Sequence, residues 1–178
     1  TAMKKLSSVF SLFVIFSLFA LTATAQSTWD FTTVGSTDQA NLNSDDNWQW
    51  DESKGRWCYV KALSQAPLTA NGATLAFAKG LLFSCKENTG GNIRIGDNRL
   101  WLSGSTSTIT IPNLKKGQSI TVTYKTSSNN TARCFETPAN LNGTSGFGEA
   151  STAEQTGTGT LAADGDVTLI PSGALYVY

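Results

Sequence analysis

The residues of this 178-residue chain that could recognise a ligand are mostly aromatic and basic. Trp48 and Trp50 lie two residues apart in a polar segment, so both would face the same side of an extended strand. An indole ring offers a flat apolar surface to the C–H faces of a sugar, and neighbouring carboxylates and amides can hydrogen-bond to the sugar hydroxyls. The pair therefore predicts contact with a carbohydrate. The alternative is that one or both rings belong to a buried core.

Trp101 has strand neighbours that indicate which way its side chain points. Leu100 and Leu102 fit the buried face of a strand, so Trp101 should point to the opposite face together with Arg99. An outward indole beside a guanidinium is suited to binding a glycan. The alternative is an aromatic ring that is covered by a loop or by an edge strand.

Arginines can supply the polar contacts of a sugar-binding surface. Arg94 lies between Ile93 and Ile95, and alternation places its side chain on the same side as Trp101. A guanidinium donates paired hydrogen bonds to sugar hydroxyls or to a uronate carboxylate. Arg133 is a further candidate, with a solvated loop charge as its alternative. The predicted ligand-binding residues are Trp48, Trp50, Arg94, Arg99, Trp101 and Arg133.

The composition excludes several kinds of chemistry. The chain contains no histidine, which excludes Ser-His-Asp and Cys-His nucleophilic sites, histidine-ligated zinc and a histidine general base. Its 13 basic and 13 acidic residues balance, which argues against nucleic-acid binding driven by bulk positive charge. A carboxylate pair for glycoside hydrolysis is defined by its spatial separation, so none is assigned. We predict no catalytic residue.

Acidic residues and cysteines offer two further possibilities. Asp164 and Asp166 flank a glycine in a late turn and are candidates for a structural calcium site, although an Asp-Gly-Asp sequence is more often an ordinary turn. No other cofactor is predicted. Cys58, Cys85 and Cys134 allow at most one disulfide, and buried free thiols are the alternative.

The pattern of short apolar runs predicts an all-β fold, an antiparallel two-sheet β-sandwich of about eight to ten strands. Residues 119–125 alternate strictly between apolar and polar positions, and no segment after residue 25 sustains a helical period. Residues 113–118 predict a hairpin-like link between two neighbouring strands. Residues 140–160, rich in Gly, Ser and Thr, predict a long surface excursion with one edge strand at most.

The N-terminal segment predicts export. Met3 is followed by two lysines, an apolar stretch and a small-residue cleavage site, so residues 1–25 are interpreted as a signal peptide with two extra residues before Met3. The apolar stretch is shorter than a membrane-spanning helix needs, so no permanent membrane span is expected. Residues 26–178 then form a single module, and its final apolar run predicts truncation within a C-terminal strand.

Several segments resemble a family of secreted β-sandwich modules of gut Bacteroidetes that occur beside polysaccharide lyases and glycoside hydrolases. The matching features are Trp29-Asp30-Phe31, the cluster of Trp48, Trp50 and Trp57, and residues 68–72, 80–83, 93–95, 99–102, 109–118, 165–169 and 175–178. The resemblance covers about 29–178 and implies a galactose-binding-like, jelly-roll fold. It also implies a non-catalytic role in glycan recognition.

These features together favour a carbohydrate-binding module of a secreted or cell-surface protein that degrades polysaccharides. The expected partners are a polysaccharide and a catalytic domain that follows in the same protein. A structural or adhesive surface domain that binds protein is the alternative. An autonomous polysaccharide lyase or glycosidase is disfavoured by the size of the chain and the missing histidine.

Overall fold

The computed structural model describes residues 26–88, 92–96 and 98–178, so the predicted signal peptide lies outside the described residues. A short 3-10 turn at Ala76–Ala78 separates the fifth and sixth strands. The elements in chain order are α1 (Ser36–Ser44), β1 (Trp48–Asp51), β2 (Arg56–Tyr59), β3 (Leu63–Ala66), β4 (Thr69–Ala70), β5 (Ala73–Thr74), β6 (Leu82–Cys85), β7 (Ile93–Gly96), β8 (Arg99–Leu102), β9 (Thr108–Leu114), β10 (Ser119–Thr126), β11 (Leu141–Ser145), β12 (Gln155–Leu161), β13 (Gly165–Leu169) and β14 (Leu175–Val177).

Two antiparallel sheets pack together and form the predicted β-sandwich. The larger sheet has the strand order β1-β2-β7-β8-β14-β10-β12-β11, and the smaller sheet has the order β13-β9-β6-β3. Strands β4 and β5 form a separate small hairpin. In the part of the chain that the structure describes, the two main sheets hold twelve strands, against the eight to ten that the apolar runs indicated.

Alternation along the central strands decides which side chains enter the core. Leu100 and Leu102 of β8 are fully buried, and so are their cross-strand partners Ile95 and Ile93 on β7. Trp101 lies between the two leucines and takes the outward face of the sheet. The predicted direction of the β8 side chains is therefore confirmed.

The link at residues 113–118 crosses between the sheets and does not close a hairpin, so that prediction was wrong. Strand β9 pairs with β6 and β13 in the smaller sheet, whereas β10 pairs with β12 and β14 in the larger one. The Gly117 N–H donates to the Leu161 carbonyl and ties the link to the end of β12. Turn residues indicate that the chain changes direction but not which strand it joins.

Residues 140–160 contain two strands, and the prediction of a surface excursion was wrong for much of this segment. Strand β11 is an edge strand, but β12 lies inside the sheet between β10 and β11. Gly157 and Gly159 of β12 occupy buried positions, where Phe147 and Leu141 pack directly over them. The apolar cover of β12 thus comes from other segments, which is why its own sequence reads as polar.

Helix α1 was not expected, because its sequence has no apolar stripe. Of its nine residues, Asp38 and Leu42 are the buried ones. Leu42 joins the core, and the Asp38 carboxylate accepts the backbone N–H groups of Ala76 (2.9 Å) and Phe77 (3.3 Å) at the 3-10 turn. Among the described residues, no helix is long and apolar enough to cross a membrane.

The three cysteines are all buried and free of disulfides, which is the alternative that the sequence left open. Cys85 contributes its thiol to the core, where burial raises its pKa. Cys85 and Cys134 therefore act as small apolar side chains in the core cluster.

Candidate functional site

The outward face of the larger sheet gathers the residues that the sequence singled out around Trp101. In the register of the sheet, Arg94 on β7 lies directly opposite Trp101, and Tyr176 on β14 lies opposite it on the other side. Cross-strand partners have Cβ atoms about 4.5–5.5 Å apart, so such side chains can contact each other. We call the resulting surface the arginine–tryptophan patch; its members are Arg56, Arg94, Arg99, Trp101 and Tyr176.

Guanidinium groups pack against both aromatic rings of the patch. The Cζ atoms of Arg56 and Arg94 lie 4.2 and 4.4 Å from the centroid of the Trp101 ring. The Cζ atom of Arg99 lies 4.0 Å from the centroid of the Tyr176 ring. The two rings meet edge to face, with centroids 5.3 Å apart. Each such cation–π contact contributes roughly 0.5–2 kcal/mol, so the rings position the guanidiniums without neutralising them.

A cavity of about 200 Å³ opens within the patch, and Gly96 forms part of its lining. Gly96 stands between Arg56 and Arg99 in the register of the three strands β2, β7 and β8, so this row of outward side chains has a gap. Its φ of +145° is rarely adopted by other residues, and a Cβ there would lie 2.6 Å from the Gly55 carbonyl oxygen. Lys54 and Ile95 complete the lining of the cavity.

The electrostatics of the patch are dominated by its arginines. Asp51 pairs with Arg56, with 3.2 Å between Oδ2 and Nη2, and the Ser53 hydroxyl and this arginine hold the pKa of Asp51 below its usual range. Burial, together with the neighbouring charge of Arg56, lowers the pKa of Arg94, whose guanidinium also bonds to the Cys58 thiol. As far as the structure describes it, the patch carries more positive than negative charge.

Two N–H groups of the patch find no acceptor among the described residues, namely Arg56 Nε and Trp101 Nε1. The other four indole N–H groups of the chain all donate hydrogen bonds: Trp29 to Lys79, Trp48 to Thr69, Trp50 to Glu52 and Trp57 to Asn43. Both unpaired nitrogens are shielded from solvent, so an acceptor that reaches them has to enter between the arginine side chains. A buried polar group without a partner costs roughly 1–3 kcal/mol, which favours such an acceptor.

Trp48 and Trp50 differ in how far they are exposed to solvent. Trp48 is only 4% exposed, and its ring packs edge to face on Tyr59, so its burial does not support the predicted sugar contact. Trp50 is 46% exposed and lies directly opposite Trp57, 4.6 Å between ring centroids. Since Trp57 pairs with the buried Ile95, Trp50 lies on the face of the sheet opposite to the patch.

Arg133 does not join the patch. Its Nη1 donates to the Ser127 hydroxyl and to the Ala174 carbonyl, each at 3.1 Å, and its aliphatic part lies against Gly173. These hydrogen bonds connect the loop at residues 126–133 to the start of β14. A structural role accounts for its position, and the ligand contact predicted for it has no support in these contacts.

The carboxylates of Asp164 and Asp166 bond to the chain itself. Asp164 accepts from Lys115 Nζ and from the Lys116 backbone N–H, both at 2.9 Å, and Asp166 Oδ1 accepts from the Asn113 N–H at 2.8 Å. Among the described residues, no group of three or more His, Cys, Asp or Glu side chains is placed to hold a metal ion. Asp164 thus joins the β12–β13 link to the β9–β10 link, and Asp166 joins strand β13 to strand β9. These bonds account for both carboxylates, and the geometry adds no support to the calcium prediction.

Sequence reasoning missed two members of the patch. Arg56 alternates with the buried Trp57, and this parity could have placed it outward on the same sheet. Tyr176 alternates with Leu175 and Val177 in the same way, but no local signal indicates that β14 inserts between β8 and β10. Parity can be read from a sequence, whereas the neighbours of a strand cannot.

The chain was compared with protein-family models, with curated proteins and with solved structures, and none of them matches it. The resemblance to secreted glycan-binding modules therefore remains an expectation from the sequence.

Proposed function

We propose that this chain is a non-catalytic carbohydrate-binding module that holds a polysaccharide on the arginine–tryptophan patch. The observation that carries the proposal is the outward pair of Trp101 and Tyr176, fixed side by side on adjacent strands and surrounded by guanidinium groups. Aromatic rings contribute contact area to the C–H faces of a sugar, while guanidiniums donate to its oxygens.

The position of the patch on central strands favours binding with little rearrangement of the backbone. Strands β7, β8 and β14 are each paired on both sides, so the backbone beneath Arg94, Trp101 and Tyr176 is fixed by sheet hydrogen bonds. A site built on such a sheet is already formed before its ligand arrives, which lowers the entropic cost of binding.

The lining of the cavity favours binding over catalysis. Its described residues are arginines, a lysine, two aromatic residues, Ile95 and Gly96, and they include no carboxylate that could serve as an acid, base or nucleophile. The resemblance of the sequence to secreted glycan-binding modules is the basis for the further proposal that this module belongs to a larger secreted or cell-surface protein that degrades polysaccharides. The basic, apolar and small-residue pattern of residues 3–25 supports export.

Affinity electrophoresis in gels that contain neutral or acidic polysaccharides tests the proposal. We expect at least one polysaccharide to retard the chain, and we expect Trp101→Ala to weaken that retardation by about tenfold or more, since an aromatic residue at the centre of a binding surface contributes about 2 kcal/mol or more. Trp50→Ala serves as the matched control, because it removes an exposed indole from the opposite face of the same sheet.

Loss of binding in Trp50→Ala but not in Trp101→Ala would place the site on the other face and contradict the proposal. If no polysaccharide retards the chain, the proposal is contradicted, and the structural or adhesive alternative becomes the one to test. Circular dichroism of both variants shows whether either substitution has unfolded the sandwich.

A further inference from the structure

We propose that the group seated in the arginine–tryptophan patch is an acidic substituent of a sugar, a carboxylate or a sulfate ester, so that the module selects charged polysaccharides over neutral ones. This inference rests on the proposed function and adds the chemical class of the ligand. It follows from the charge, the size and the donor geometry of the cavity.

The charge of the cavity lining favours an anionic ligand. Arg56, Arg94 and Arg99 line one cavity together with Lys54, and Asp51 forms an ion pair with Arg56. Like charges held this close repel each other, and an anion between them removes that repulsion. A neutral sugar would leave the repulsion in place, so the arrangement favours a charged ligand.

The size of the cavity limits which part of a polysaccharide can enter it. The cavity has a volume of about 200 Å³, which is below the roughly 300–1,000 Å³ of sites that enclose a whole small molecule. It can admit one sugar residue or its charged substituent, while the rest of the polymer lies outside along the sheet. Gly96 lines this space without a side chain, and the close approach of its backbone to Gly55 and Arg56 leaves no room for one.

The hydrogen-bond donors of the patch also favour an anionic group. Guanidiniums present N–H groups in a planar fork that matches the paired oxygens of a carboxylate or a sulfate. Arg56 Nε and Trp101 Nε1 have no acceptor among the described residues, so the patch retains donor capacity at its centre. Anionic oxygens accept stronger hydrogen bonds than hydroxyls do, which makes them the better partners for these groups.

The test compares polysaccharides that differ only in charge. Binding of the chain is measured by affinity electrophoresis and by calorimetry against polygalacturonate and its methyl ester, hyaluronan and its methyl ester, and dextran sulfate and dextran. In at least one pair we expect the charged member to bind about tenfold or more tightly, and this preference to weaken as salt rises. A preference within the polygalacturonate or hyaluronan pair indicates that the patch binds a carboxylate, and a preference within the dextran pair indicates that it binds a sulfate.

Arg99→Met should abolish the preference for the charged member, and Arg99→Lys should restore only part of it, because lysine keeps the charge but not the fork. Lys61→Met is the matched control; it also removes one positive charge, from an exposed residue that pairs with Glu87. We expect this variant to bind like the unmodified chain. If Arg99→Met and Lys61→Met lose the preference for the charged polysaccharide equally, that preference comes from the overall charge of the chain and not from the patch. This result would overturn the inference.

The outcomes separate this inference from the proposed function. If neutral and charged members of every pair bind equally, the module binds glycans but does not select for charge, and the inference is wrong. If no member of any pair binds, the proposed function is itself contradicted and the inference is overturned with it.

Discussion

At the scale of single residues, the patch shows how much of a site follows from local parity. Alternation with Leu100 and Leu102 placed Trp101 outward, and alternation with Ile93 and Ile95 did the same for Arg94. The contact between Arg94 and Trp101 depends also on the pairing of β7 with β8 in this register, which alternation does not predict. The sequence therefore predicted the directions of these side chains but only part of the cluster that they form.

Stability measurements on two neighbouring residues test the assignment of faces. Leu100→Ala leaves a cavity in the fully buried core, and we expect the free energy of unfolding to fall by about 2–5 kcal/mol. Trp101→Ala removes a half-buried outward ring, so we expect a smaller loss. Urea denaturation of both variants measures the two values. A loss in Trp101→Ala as large as that in Leu100→Ala would mean that Trp101 belongs to the core.

At the scale of elements, β12 shows why the larger sheet was only partly predicted. Its sequence alternates threonine with glycine at residues 156–160, and glycine in a polar segment usually indicates a loop. Here the glycines make room for rings and methyl groups from outside the strand. A Cβ on Gly157 would lie 2.6 Å from the Phe147 ring, and one on Gly159 would lie 3.0 Å from a methyl group of Leu141.

Substitution of Gly157 by alanine tests this packing. Phe147 is only 5% exposed and has little room to move, so we expect overpacking to lower the free energy of unfolding by roughly 1–3 kcal/mol. Gly104→Ala is the control, because nothing lies within 4 Å of a Cβ at that position and its φ is not positive. Thermal melts of the two variants give the comparison. Equal melting temperatures would show that Phe147 does not cover β12.

At the scale of the whole molecule, the chain passes repeatedly between the two sheets, and the β9–β10 and β12–β13 links are two of these passages. Asp164 in one link accepts two hydrogen bonds from Lys115 and Lys116 in the other. The sandwich itself was predicted from apolar alternation, because each sheet needs one buried face. The order of its strands was not, because strand order depends on contacts between segments that are distant in sequence.

The pH dependence of stability tests the hydrogen bonds by which Asp164 joins the β12–β13 link to the β9–β10 link. The Lys116 N–H and the Lys115 side chain lower the pKa of Asp164, so its ionised form is favoured by folding. This stabilisation is complete above the ordinary aspartate pKa of about 4 and is lost as the pH falls through the lower folded value. We expect the melting temperature to fall less steeply between about pH 5 and pH 3 in Asp164→Asn than in the unmodified chain.

Asp30 and Asp51 also have lowered pKa values and remain in both proteins, so the difference between the two curves reports Asp164 alone. Because Asp164 is exposed, the difference should be small, and high salt should reduce it further. Parallel curves for the two proteins would contradict a stabilising contact between the links.

The central claim is that a polysaccharide binds on the outward face at Trp101. The most direct test is a titration of the ¹⁵N-labelled chain with an oligosaccharide of the polymer that it retains, followed through the indole N–H signals of its five tryptophans. We expect the Trp101 signal to shift, while the signal of Trp48, bonded to the Thr69 carbonyl inside the core, stays in place. A titration that moves the Trp50 signal and leaves that of Trp101 unchanged would contradict the account.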